Sequence, residues 1–239
     1  MGLPDQAARL CEEKDGIARS LAHPYSLSWS LTWGAMPHLY RGDHDALEKS
    51  VTEGMRIARE HGLAYTEAIG GVALGWLLGQ RGKPVQGIAE MRAGLAAFRA
   101  TGAEIVVPFF KTLLAELLSG SGAEQEAHTL LDEALDQVEQ WGERWQEAEI
   151  HRVRGLLWAN AAGPHDAQAE ASLRRAIDVA SAQHARGWEL RARTALAALL
   201  QRQGHNAQAR ATLEPIVMGF EEGAQTRDLL GARALLNAL

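Results

Sequence analysis

Gly42-Asp43-His44-Asp45-Ala46-Leu47-Glu48-Lys49-Ser50-Val51-Thr52-Glu53-Gly54-Met55-Arg56-Ile57-Ala58-Arg59-Glu60-His61-Gly62 is a helix written between two stops. Val51 and Ala58 lie seven residues apart, so they share one helical face, and Gly54 between them leaves room for a neighbouring helix to approach. The flanking glycines are the residue that most readily takes the left-handed conformation closing a helix. The same text recurs along the chain, with Val51, Met91, Leu131 and Leu173 in register, then Ala58, Phe98, Val138 and Ala180, and the small residues Gly54, Gly94, Ala134 and Ala176 between.

The stops keep the same beat. Gly2, Gly42, Gly82, Gly122, Gly163 and Gly204 are spaced by 40, 40, 40, 41 and 41 residues, and a second series, Gly62, Gly102 and Gly142, runs about half a period out of phase. That second series continues near His184–Gly187, where the glycine has slipped. Two stops per period mean two helices per repeat, and first helices carry their own small residues at Gly34, Ala115, Gly155 and Ala197. A helical hairpin cannot bury its apolar stripe alone, so hairpins are expected to stack.

The expected architecture is all-α, a solenoid of antiparallel helical hairpins with a period of about 40 residues. It is read as one array over 1–239: a half repeat 1–22, repeats 23–62, 63–102, 103–142, 143–186 and 187–222, and a capping helix 226–239. Pro4, Pro24 and Pro84 suit first helical turns, Asp43 and Asp45 suit the start of the next helix, and Gly163-Pro164-His165-Asp166 reads as a turn with one inserted residue. Gly2 stands one period before Gly42. The expectation from this phase is a chain that opens in the turn between two helices, the carboxy-terminal piece of a longer protein with its first helix uncovered and available for self-association.

Composition agrees with helices: 46% of the 239 residues are hydrophobic while Phe, Trp and Tyr make up only 6%. A formal charge of -6 offers no general field to nucleic-acid phosphates or anionic lipid. The single cysteine, Cys11, excludes an internal disulfide, and the amino terminus lacks a signal-peptide pattern, so the expected location is the cytoplasm.

Chemistry-bearing motifs are scarce. Gly79-Gln80-Arg81-Gly82-Lys83-Pro84 has the wrong glycine spacing for a phosphate loop and proline where a hydroxyl is needed, so it reads as a turn. The nine histidines show no zinc spacing, and no nucleophile elbow or reactive-cysteine context appears; no catalytic residue, metal or cofactor is expected. The tryptophans carry more. Trp29, Trp33, Trp76, Trp145, Trp158 and Trp188 fall in first helices, and Trp141 closes a second helix. In stacked hairpins first helices line the concave face, which makes these rings either ligand platforms or core. A groove is expected to be lined by His38, Trp76, Phe109, Thr112, Glu116, Glu149, Arg152 and Arg191. Arg152 and Arg191 read either as a clamp for an external anion or as partners of Glu149 and Glu189.

Gly142-Glu143-Arg144-Trp145-Gln146-Glu147-Ala148-Glu149-Ile150-His151-Arg152-Val153-Arg154-Gly155 and Ala185-Arg186-Gly187-Trp188-Glu189-Leu190-Arg191-Ala192, with His23-Pro24-Tyr25-Ser26-Leu27 and Gly94-Leu95-Ala96-Ala97-Phe98-Arg99-Ala100-Thr101-Gly102-Ala103, carry a resemblance. They resemble the carboxy-terminal tetratricopeptide-like region of large bacterial signalling proteins, in which an adenylate or guanylate cyclase or a transcription-factor module is joined to a STAND-class nucleotide-binding domain. The resemblance implies a non-catalytic interaction scaffold or docking array whose partner is another protein or peptide segment, including an upstream domain of the same protein, with no direct nucleic-acid or membrane binding. The alternative it implies, from maltose-type regulators, is an inducer-sensing domain that controls an attached ATPase, cyclase or transcription factor. The helices here are longer than those of the 34-residue tetratricopeptide pattern, so peptide-clamp positions are not carried over.

Overall fold

The computed structural model describes residues 2–161 and 163–239, and every regular element among them is helical. The chain divides into two compact units, one of Pro4–Ser121 and one of Gly122–Leu239 that also includes Gly2 and Leu3.

The first unit holds α1 (Pro4–Ser20), α2 (Pro24–Thr32), a 3-10 turn (Trp33–Ala35), α3 (Met36–Arg41), α4 (His44–His61), α5 (Ala64–Gln80), α6 (Pro84–Ala100) and α7 (Val107–Leu118). Successive helices pack in pairs, α2 on α4, α4 on α5 and, most intimately, α5 on α6. The repeated small residues set these approaches. A methyl group at Gly54 would meet Thr32 and Leu31, and one at Gly94 would meet the Val72 backbone nitrogen at 2.8 Å. Between α5 and α6, Gly75 and Gly87 face one another so closely that neither tolerates a side chain.

The sequence predicts one helix over 24–41, but the structure breaks it at Trp33–Ala35. Pro37 has no N–H to offer the Trp33 carbonyl, and the hydroxyl of Thr32 donates back to the Ser28 carbonyl at 2.8 Å; both weaken the ladder there. The helix that opens the repeat 103–142 begins only at Val107, after Val106 at φ 62°, a strained conformation for a β-branched residue. Asp43 does stand at the start of α4, but it does not cap; its carboxylate accepts from Arg41 at 2.7 Å instead.

The second unit holds α8 (Glu124–Trp141), α9 (Glu147–Asn160), α10 (Asp166–Ala182), α11 (Arg186–Arg202), α12 (Asn206–Met218) and α13 (Arg227–Ala238). Again α9 packs on α10, α10 on α11 and α11 on α12, while α13 lies on α11 and α12. A core of Leu173, Leu196, Leu200, Leu213 and Leu229 joins α10 to α13. The slipped glycine has a simple explanation: His184 takes the left-handed conformation at φ 52°, and Gly187 lies inside α11. Ala22, at φ 49°, does the same after α1. At Gly62, Gly82 and Gly204 the stops behave as read, with Leu63, Lys83 and His205 donating back to carbonyls five residues earlier at 2.8, 3.0 and 2.9 Å, but Gly122 and Gly163 do not close the helices before them: α7 and α9 end at the extended residues Ser119 and Ala161. All twelve aligned second-helix positions named above are buried.

Candidate interaction surfaces

In the first unit the residues expected to line a groove are mostly drawn inward. Trp76 is buried edge-on to His44, with ring centroids 5.8 Å apart and no acceptor for its indole N–H. Phe109 is buried too, edge-on to Trp33 at 5.9 Å and tilted against Tyr40 and Phe110. Thr112 is buried and donates to the Pro108 carbonyl at 2.7 Å. Glu116 is half-buried, and His38 is half-buried with Nδ1 3.8 Å from Asp43. Their aromatic neighbours continue the column through Phe110 to Phe98 and Tyr65, each step at 5.1 Å.

Other side chains of this unit reach solvent. Tyr25 and Trp29, one turn apart on α2, remain 43% and 40% exposed, and α1 shows Leu10, Ile17 and the following Leu21 at 54%, 62% and 61%. These five are large apolar groups that folding has not covered. Cys11, by contrast, is buried with its thiol directed to the Gly34 carbonyl at 3.4 Å, and burial pushes that thiol above its ordinary range.

In the second unit, Glu149, Arg152 and Arg191 do come together. Arg152 grips Glu149 with two donors at 2.9 and 2.7 Å, and Arg191 reaches the same carboxylate at 2.9 Å. The side chains of Glu149 and Arg152 are only 5% and 6% exposed, so this is a buried ion pair. Asp228 of α13 completes the junction 3.9 Å from Arg191, and burial pushes its carboxyl above the usual range, against the pull of that arginine. Arg191 also lies over the Trp188 ring, 5.7 Å from its centroid. The carboxylate engaging both arginines is thus internal, while Glu189 goes to Arg193 at 2.7 Å rather than to Arg191.

The other face of α9 is charged as well. Glu147 is buried between Arg144 at 2.9 Å and Arg175 at 3.1 Å. Burial, reinforced by Arg154, lowers His151 to about 4. Trp158 is held between the imidazoles of His128 and His165, with centroids at 4.2 and 5.1 Å. Trp145 is 38% exposed and donates to Glu143 at 2.8 Å. The turn predicted over residues 163–166 adjoins Ala162, which lies outside the described residues; Asp166 already begins α10. Gly79–Pro84 is the α5–α6 turn, where Arg81 pairs with Asp45 at 3.0 Å and Glu48 at 2.8 Å.

Sequence reasoning missed Asp228 and the exposure of Tyr25, whereas an uncovered first helix was among its expectations. Asp228 had no local signal, because only the return of α13 onto α11 brings it to Arg191. The stripe of α1 is visible as the seven-residue spacing of Leu10 and Ile17. Among the described residues, no helix is long and apolar enough to cross a membrane.

No family model matches the chain. It is similar to an uncharacterized protein of Rhizobium meliloti (strain 1021), with 31% identity over 173 residues. The aligned part is 72% of this chain but 17% of that protein, so the chain spans less than a fifth of the length of this curated relative.

Proposed function

We propose that this chain is a non-catalytic docking array that serves as the regulatory segment of a larger bacterial signalling protein, and that its ligand is a protein segment. The observation that carries the reading is the pair Tyr25 and Trp29, left 43% and 40% exposed one turn apart on a first helix. Amphipathic rings held at low entropic cost are the side chains that protein interfaces favour at their centres. The match to a small fraction of a much longer protein supports the larger context, and the tetratricopeptide-like resemblance supports the regulatory one.

A thermal-shift screen against separate panels of helical peptides and of metabolites, nucleotides and oligosaccharides tests it. Saturation at a hundredfold excess over Kd adds about 2.7 kcal/mol, a shift of several degrees. Stabilisation by peptides is the expected result. Stabilisation by small molecules alone would replace this reading with the inducer-sensing one.

A further inference from the structure

Tyr25 and Trp29 stand in a neutral setting. From Pro24 to Tyr40 the chain carries no Asp, Glu, Lys or Arg, and α5, which packs beside α2, carries only Glu67, whose carboxylate accepts from Arg59 at 2.7 Å. In the second unit, by contrast, α9 holds Glu147, Glu149, Arg152 and Arg154. Tyr65 of α5 adjoins Tyr25; burial and that neighbour push its hydroxyl above the ordinary range, and Phe98 backs its ring at 5.1 Å. Among the described residues neither the Tyr25 hydroxyl nor the Trp29 indole N–H has a hydrogen-bond partner. Building on the docking reading above, we propose that the segment held at Tyr25 and Trp29 is a helix that meets them with an uncharged face of small residues, alanine, serine or glycine, spaced four apart.

Charge selects the face of the occupant. An ionised side chain pressed onto this surface would lose its water without meeting an opposite charge, so the contact face is neutral. The backbone selects its conformation. An extended segment needs a sheet edge to take up its N–H and C=O groups, and every regular element among the described residues is helical. A helix arrives with its amides already paired. Tyr25 and Trp29 form an i,i+4 ridge, which packs into the groove of a crossing helix at an axial distance of about 8–10 Å. Rings this bulky reach that distance only over small side chains. The chain packs its own helices by the same rule: Met55 lies on Gly70, Leu117 on Gly79 and Leu173 on Gly155, each where a methyl group would have no room. A serine in the groove also gives the two free donors an acceptor.

Titration calorimetry of the intact chain with four synthetic peptides, at up to about 1 mM, tests the proposal. Three are helical and differ on one face only: alanine and serine, leucine throughout, or alanine and serine with one central lysine. The fourth is oligoproline. The alanine–serine face should bind most tightly, with leucine weaker by about tenfold and lysine by about 30-fold or more, and oligoproline should not bind. Tyr25→Ala/Trp29→Ala, shown to be folded by its helical circular dichroism, should bind none of them. A leucine face as tight as the alanine–serine one, a lysine without effect, or preference for oligoproline overturns the proposal; if that binding is lost in Tyr25→Ala/Trp29→Ala, the docking reading itself stands. Binding by none of the four also overturns the proposal, and binding indifferent to Tyr25→Ala/Trp29→Ala overturns the docking reading with it.

Discussion

Gly87→Ala adds one methyl group at the tightest point between α5 and α6. Its carbon would stand 2.5 Å from the Gly75 carbonyl oxygen, 2.8 Å from the Gly79 nitrogen and 3.2 Å from the Gly79 Cα. All three are backbone atoms of α5, so no side chain can swing aside; the helices must separate. Overpacking of this kind costs about 1–3 kcal/mol, here at the upper end. Against it stands the helix propensity of alanine over glycine, about 1 kcal/mol in a helix interior. The net expectation is a loss of about 1–2 kcal/mol. Gly16→Ala provides the control: nothing lies within 4 Å of the added carbon in the middle of α1, so propensity acts alone and the variant gains about 0.5–1 kcal/mol. Urea unfolding followed by helical circular dichroism should move the two midpoints in opposite directions at similar slope. Gly87→Ala as stable as the parent would refute the close-approach account of this hairpin.

Three further outcomes follow from the core and the buried charges. His151, at about 4 in the folded chain, has a lower proton affinity than an unfolded histidine near 6.5, so the unfolded state takes up the proton first and stability falls as pH drops from 6.5 towards 4. Allowing for partial exposure, His151→Gln should flatten that fall by about 1 kcal/mol at pH 5, read from urea midpoints against pH; an unchanged slope would contradict the burial of His151. Arg152→Met leaves Glu149 buried with half its compensation and should cost about 3 kcal/mol, whereas Glu149→Leu/Arg152→Met should recover most of it; equal losses in both would mean the pair is not buried as described. Phe98, fully buried between Tyr65 and Phe110, should cost about 3–5 kcal/mol on replacement by alanine, and a loss under 1 kcal/mol would place it outside the core.

How much of this was legible depends on the range of the forces involved. Helix ends and hairpin contacts are local or repeated, so Gly62, Gly82 and Gly142 announce the stops, and Gly54, Gly94 and Ala176 announce the close approaches. Where the code was spelled differently, at His184 and Ala22, tertiary context imposed the left-handed turn on residues that do not advertise it. The break at Trp33–Ala35 was readable in principle from Pro37, which sits too far inside a helix of 24–41 to be harmless. The candidate site was less legible. Periodicity places Trp76, Phe109 and Thr112 on a helix face, but which arc of that face is covered depends on neighbours from other hairpins, and here those neighbours bury them. Glu149, Arg152 and Arg191 meet because α9 and α11 are neighbours, as a buried ion-pair junction and not as the lining of a groove; Asp228 joins them only through the way the last helix returns.

The central claim is that α2 presents the docking surface, and the most direct measurement is the affinity of the stabilising peptide for the parent chain and for Tyr25→Ala/Trp29→Ala by titration calorimetry. Interface aromatics at the centre of a contact cost about 2 kcal/mol or more on truncation, so the variant should bind at least about 30-fold more weakly while keeping its helical circular dichroism at the titration temperature. Equal affinity in the two proteins would contradict the account and move the binding surface elsewhere on the chain.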